Sequence, residues 1–598
     1  MNKFKVLILL LLILFSTSAF AEQKLNFDAI KSKMIDVDIN LTVPVLITSY
    51  TENNSFTFTT PVFSNQKSQI VSRDVYYLDS NGAKVPAIIE KDEYGNDVAT
   101  FNIDPIDEYK YDFHINTNIK AENKIILPTT KYDLNNPITD NNEYLEPTKN
   151  IQSNRSEIIS VANAIKTSND AITEIVEITN WVHQNITYDT AYSEVVEDAV
   201  TVLSTRRGVC DEFANLTAAL LRARGIPTRY VSGYANSTLS WDAHAWVEAY
   251  VPGYDWIPVD ATYGEVGQVD ASHIIISKSK DPDNIKDRLT TMSTVEIEFQ
   301  EKIKSFNINT QKSYADYGYS DVLNINLISP EDMKTKSAFT IKANIKNTNA
   351  NPLATLVILK THDSFTQIYP RYSEEIVYLD AFQEKELIYH FILPDLDSPM
   401  YYSYILANQY KDVESSVNVY TNDGLYQEAF FVLPPIFYFK DDKLYLGMDI
   451  INHTTKTKTL KFDFNYCGIV SSESKVISIM QSNQPEVYIK SFDKIDSCGF
   501  DFIISGDYDY SKSIYVYPTQ EIKVIEDLTD NNAISINDKN TDTNKLKDVW
   551  YDLNKMKVVE KSDSKGYIGY ILLALFIIAI ISFILIKPKK KIDNLTRV

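Results

Sequence analysis

The chain has 598 residues, 58 lysines and arginines against 80 aspartates and glutamates, and a formal net charge of −22. That length is too great for a single core, so several domains are expected. The acidic balance excludes nucleic acid as a natural partner, because phosphates would be repelled. Thirty-nine tyrosines and only 16 glycines, with many β-branched residues, point to extensive β-sheet.

Residues 1–21 read as a secretory signal peptide. A short basic start (Lys3, Lys5) precedes an apolar run from Val6 to Phe15 and a small-residue string, Ser18-Ala19-Phe20-Ala21. Residues 22–150 form an expected N-terminal β domain. Alternation in VDINLTVPVLI and YDFHINTNI marks strands, and Asn81-Gly82 and Gly95-Asn96 mark turns. From Ser156 to Thr187 the period becomes helical, with Ile158, Ile159, Ala162 and Ile165, then Ile172, Ile175, Ile178 and Val182, three and four apart.

Three strings follow that carry chemistry: RRGVCDEFANLTAALLRARGIPTRYVSGY, DAHAWVEAYV and WIPVDATYG. They present a thiol (Cys210), an imidazole (His244) and a carboxylate (Asp260) in the order nucleophile, base, orienter. Gly208 suits a tight turn before the cysteine. Phe213, Leu216, Leu220 and Leu221 form a helical stripe, which Gly225-Ile226-Pro227 ends with Gly225 just past the helix. Cys210 thereby falls at a helix N-terminus, where the dipole favours thiolate, partly opposed by Asp211 and Glu212. HAWVEAYV and WIPVD read as a hairpin that carries Asp260 toward His244, in a register the sequence leaves open.

Beyond Ser305 alternating strands return. Residues 310–422 and 423–521 are expected as two β-sandwiches of immunoglobulin type. Cys467 and Cys498 lie within the second and can form a disulfide, which leaves Cys210 as the unpaired thiol. Residues 522–566 read as a solvated stalk. Tyr567 to Ile586 is uncharged and long enough to span a bilayer, and Lys587, Lys589, Lys590 and Lys591 belong on its cytoplasmic side, in a tail of residues 587–598. The bulk of the chain is thus expected outside the cytoplasm, anchored in a lipid bilayer by one helix.

The segments GVCDEFANLTAALLRARGIPTRYVSGY, AHAWVEAYV and WIPVDATYG, preceded by EITNWVHQNITYD, resemble the transglutaminase-like superfamily, which shares the papain-like cysteine-protease core. The resemblance covers about residues 155–275. It implies an α+β catalytic domain, placed at 151–300, with Cys210 as nucleophile, His244 as its base and Asp260 orienting the imidazole. It implies acyl transfer on protein or peptide amides through a thioester, ending in cross-linking or in proteolysis, with no cofactor and no metal. The paired-cysteine zinc motif of the deglycosylating branch is absent. The competing expectation is a catalytically idle binding module within a surface adhesin or envelope scaffold.

Overall fold

The computed structural model describes residues 32–516, apart from short internal segments, chiefly 50–53, 123–126, 237–240, 292–295, 300–304, 316–321, 422–428 and 479–485. The expected signal peptide, stalk, membrane helix and basic tail lie outside the described residues. Among the described residues no helix is long and apolar enough to cross a membrane.

The first module is built on strands β1 (Ser32–Ser49), β2 (Phe56–Val62), β3 (Gln69–Leu78), β4 (Lys84–Pro86), β5 (Ile88–Lys91), β6 (Asp97–Ile103) and β7 (Lys110–Glu122). Strict alternation of buried and half-exposed residues on β2 and β7 reflects one face packed on a core. That core holds Val43, Val45, Phe58, Phe101 and Phe113.

The α+β region begins with helices α1 (Ser156–Ile165) and α2 (Ala171–Asn185), and the latter is capped by Asp170, whose carboxylate accepts from Thr173 N–H at 3.1 Å. Two short strands, β8 (Thr187–Tyr188) and β9 (Arg207–Gly208), pair in parallel on either side of helix α3 (Ala199–Thr205). Helix α4 (Cys210–Ala223) follows at once. It ends as the sequence predicts: Gly225 has φ +77°, its N–H bonds Arg222 O at 2.9 Å, and Ile226 N–H bonds Leu221 O at 3.1 Å. These are the two hydrogen bonds of a Schellman motif.

Strands β10 (Thr228–Asn236), β11 (Trp241–Val251), β12 (Asp255–Asp260), β13 (Glu265–Val266) and β14 (Ile274–Ser279) make an antiparallel sheet in the order β13-β12-β11-β10-β14. Period-two alternation splits β11 cleanly. Ala245, Val247, Ala249 and Val251 join the core shared with Leu216, Ala219 and Leu220 of α4, and Trp246 packs with Val231 and Ile275 on the other face. Truncating Leu216 or Leu220 to alanine would cost about 2–5 kcal/mol.

After this sheet the chain returns to the first module. Strand β15 (Arg288–Thr291) pairs with β2, and β16 (Glu296–Phe299) and β17 (Ser305–Ala315) both pair with β1. Residues 323–420 then form a four-stranded and a five-stranded sheet around one core, and residues 429–516 form two four-stranded sheets. The first of these pairs docks directly on the α+β region. Ala354, Leu356 and Ile376 join the core under α2, Ile376 N–H bonds Asn180 Oδ1 at 2.7 Å, and Tyr410 O–H donates to Gln268 Oε1 at 2.8 Å.

Candidate active site

Cys210 is the first residue of α4, and the turn before it is held by Glu212. The Glu212 carboxylate accepts from Val209 N–H at 2.7 Å and from Glu197 N–H at 2.8 Å. Valine offers no side-chain acceptor, so only the return half of a capping box is present. Burial pushes the Glu212 carboxyl up to about 7, against the pull of those two N–H donors. Gly208 serves this turn through space and not through φ. A Cβ there would collide with the Glu212 side chain, and its φ is not in the left-handed region.

The ladder between β11 and β12 stops at Val247 and Val259. Beyond that end, Ala245 shares one buried cluster with Cys210. The thiol is therefore seated against the residue that follows His244. Its ionisation departs from the sequence expectation. Burial, then the neighbouring Asp211, push the thiol well above its ordinary value, and the Ala245 N–H only partly offsets them.

Asp260 falls two residues short of the position that the register would set directly opposite His244, yet the two meet: His244 Nε2 is 2.7 Å from Asp260 Oδ2. Both side chains are fully buried. Burial alone would raise Asp260. The His244 ring, then His273, overcome it and hold the carboxyl well below the usual range. An ionised carboxylate only accepts, so Nε2 of His244 carries the proton. The Nδ1 atom is buried and has no hydrogen-bond partner among the described residues. The ring is sandwiched between Tyr263, with centroids 4.8 Å apart and planes at 15°, and Trp246 at 5.8 Å. Close packing under it needs Gly233, whose missing Cβ would lie 2.0 Å from Ile274 O. Tyr188 reaches the same place from β8, and burial and then Cys210 raise its phenol.

The sequence reading missed a second imidazole. His273 Nε2 lies 3.0 Å from the same Asp260 Oδ2, and its Nδ1 faces Asp270 at 3.4 Å and Glu265 at 3.8 Å. No motif announces it. The available signal is scarcity: the chain has seven histidines, and His273 opens an apolar strand just after WIPVDATYG. Burial would lower His273, but Asp270, then Asp260 and Glu265, raise it well above its ordinary value. It therefore donates Nε2–H to Asp260, while its Nδ1 side meets Asp270 and Glu265 as ion pairs and not as hydrogen bonds.

The model of the transglutaminase-like superfamily matches residues 159–261. This segment is a transglutaminase-like domain. The match includes Cys210, His244 and Asp260. An uncharacterised Mycobacterium leprae protein is 31% identical over 120 residues, 19% of this chain and 43% of that protein. A Pseudomonas aeruginosa protein-glutamine gamma-glutamyltransferase is 42% identical over 72 residues, 10% of this chain and 11% of that one. The chain thus spans less than half the length of these relatives. Among solved structures, a Cytophaga hutchinsonii protein named as a cysteine protease aligns over 47% of this chain and 92% of its own, with 20% identity and a TM-score of 0.37, a likeness too partial to argue from.

Proposed function

We propose that the transglutaminase-like domain is a cysteine acyltransferase or hydrolase acting on protein or peptide amides, with Cys210 as nucleophile, His244 as base and Asp260 as orienter. The observation that carries this reading is the tautomer. Asp260 holds Nε2–H of His244, so the ring nitrogen with a free lone pair is Nδ1, on a residue whose neighbour Ala245 packs in the same buried cluster as Cys210. A buried thiol kept protonated suits a base that takes the proton as attack begins.

In the first half-reaction the sulfur attacks the amide carbonyl as its proton passes to Nδ1. Asp260 stabilises the imidazolium. Nδ1 then protonates the departing amine, leaving a thioester. Water completes hydrolysis, and a primary amine completes cross-linking. The first N–H groups of α4 have no partner within the helix, so they are the nearest supply of donors for the carbonyl oxygen. The Pseudomonas aeruginosa relative, named as a glutamyltransferase, favours amine transfer to glutamine. Residues 1–21 and 567–586 support an extracytoplasmic, membrane-anchored placement, with the basic tail inside.

The test is incubation with a glutamine-containing protein and a fluorescent primary amine, followed by mass spectrometry, with Cys210→Ala as control. Cys210-dependent amine incorporation identifies a cross-linker, and cleavage alone identifies a protease. Binding to a surface partner that survives Cys210→Ala, with neither product formed, would overturn the enzymatic reading in favour of an idle scaffold module.

A further inference from the structure

Asp260 Oδ2 binds two imidazoles, His244 at 2.7 Å and His273 at 3.0 Å. Its other oxygen accepts from Thr262 N–H at 2.7 Å and Tyr263 N–H at 3.2 Å. The carboxylate is therefore fixed from four directions, and the second ring nitrogen of His273 faces further carboxylates, Asp270 at 3.4 Å and Glu265 at 3.8 Å. Behind it stand Asp270 and Glu265, and the side chains of His244, His273, Asp260, Asp270 and Glu265 are all buried. Burial, then the Asp270 carboxylate, push Glu265 well above its ordinary value, so Asp260 and Asp270 are the buried carboxylates that call for compensating positive charge. The other charges nearby are committed elsewhere. A cavity of about 160 Å³ lies against His273, Asp270 and Trp246. On its wall, Arg229 and Lys278 are both paired to Glu248, and Lys67 to Asp255. Glu122 also lines it, on the first module.

We propose that His273 is a positioning residue of this site: a protonated imidazole clamped between Asp260 and the Asp270–Glu265 pair, it fixes the oxygen that holds His244 and offsets that oxygen's charge. The proposal rests on the acyl-transfer reading of Cys210, His244 and Asp260. Its physical consequence is balance. Asp260 alone would hold a proton on His244 strongly and oppose ionisation of the Cys210 thiol. With His273 beside it, the carboxylate still selects the Nε2–H tautomer but acts on both groups with less net charge. Removing that positive charge makes His244 easier to protonate and Cys210 harder to ionise, so both titrations move to higher pH.

The experiment measures the rate of Cys210 alkylation by iodoacetamide across pH in the full-length chain, following the Cys210 peptide by mass spectrometry. His273→Gln keeps an N–H donor for Asp260 but no charge. Its profile is expected to move upward by on the order of one pH unit. His273→Ala, which lacks the donor as well, is expected to lose a further factor of roughly ten in rate. Asp270→Asn leaves His273 in place but removes the negative charge behind it, so its profile should move by a different amount from that of His273→Gln, with the loss of the carboxylate opposing any upward shift. That variant keeps the test open if substitution at His273 prevents folding. Folded variants with the wild-type profile, or with a uniform loss of rate and no shift, would overturn the proposal. Failure of the acyl-transfer reading looks different: Cys210 of the wild type would then alkylate with the single titration of an isolated thiol, untouched by His244→Ala.

Discussion

A Cβ on Gly208 would lie 2.2 Å from the Cβ of Glu212. The turn that presents Cys210 is thus closed by contact between the backbone on one side and a buried carboxylate on the other. Gly208→Ala should displace Glu212, release the Val209 and Glu197 N–H groups, and cost about 1–3 kcal/mol through overpacking. Thermal unfolding and iodoacetamide reactivity of Cys210 should fall together. Gly225→Ala is the control, since that glycine has φ +77° and open space around it. It should lose about 1 kcal/mol of stability while leaving Cys210 reactivity unchanged.

Asp260→Asn replaces an acceptor of four N–H groups by a side chain that must turn its own NH₂ toward some of them. The Nε2–H tautomer of His244 is then no longer imposed. Cys210-dependent turnover should drop by about three to four orders of magnitude, as in comparable triads. Product formation at fixed substrate measures it, with circular dichroism to show that the fold is retained. Turnover within tenfold of wild type would show that Asp260 does not orient the base.

On the outer face of β11, Glu248 accepts from Arg229 Nε at 2.6 Å and lies 3.1 Å from Lys278 Nζ. Arg229 also stacks on Trp256, 4.0 Å from the ring centroid. Burial would raise Glu248, but Lys278 and then Arg229 bring it down to about 2. At Lys278 burial wins, and that amine is pushed down. A carboxyl depressed on folding adds stability above its unfolded value, about 4.5, and loses it as pH falls toward 2. Ionised Glu248 should therefore contribute at most about 3 kcal/mol at neutral pH, reduced by the cost of burying the Lys278 amine, and this contribution disappears across that window. Glu248→Gln should remove it, with urea denaturation from pH 7 to pH 2 showing a difference from wild type that narrows steadily below pH 4.5.

The residues that carry order and flanks were legible in the sequence. Cys210 at a helix start, Gly225 at its end and the hairpin bearing His244 and Asp260 all follow from local periodicity and turn chemistry. What escaped depends on contacts between distant segments. His273 gains its place only when β14 pairs with β10, and Gly233 is needed because Ile274 O approaches its α-carbon there. The thiol's ionisation escaped for another reason: a helix dipole is visible in a sequence, whereas full burial of its first residue is not. The return of β15, β16 and β17 to the first module is likewise tertiary, since those strands alternate like any others.

Cys467 is disulfide-bonded, and Cys210 is free. Cys467 and Gly468, at φ +53° and +82°, form the two-residue turn joining the strands Lys458–Tyr466 and Ile469–Ile477. The expected partner, Cys498, has its side chain outside those described. A bridge from this hairpin constrains only residues 429–516, whose core of Leu446, Phe462, Phe464 and Phe502 is distinct from the one that holds Cys210. Cys467→Ser should therefore destabilise this module by about 2–4 kcal/mol. Cys210 alkylation should keep its wild-type rate and pH profile. Limited proteolysis under native conditions reads both at once: faster cleavage confined to residues beyond 429 is the expected result. Equal loss of protection around Cys210 would mean that the two cores unfold as one unit.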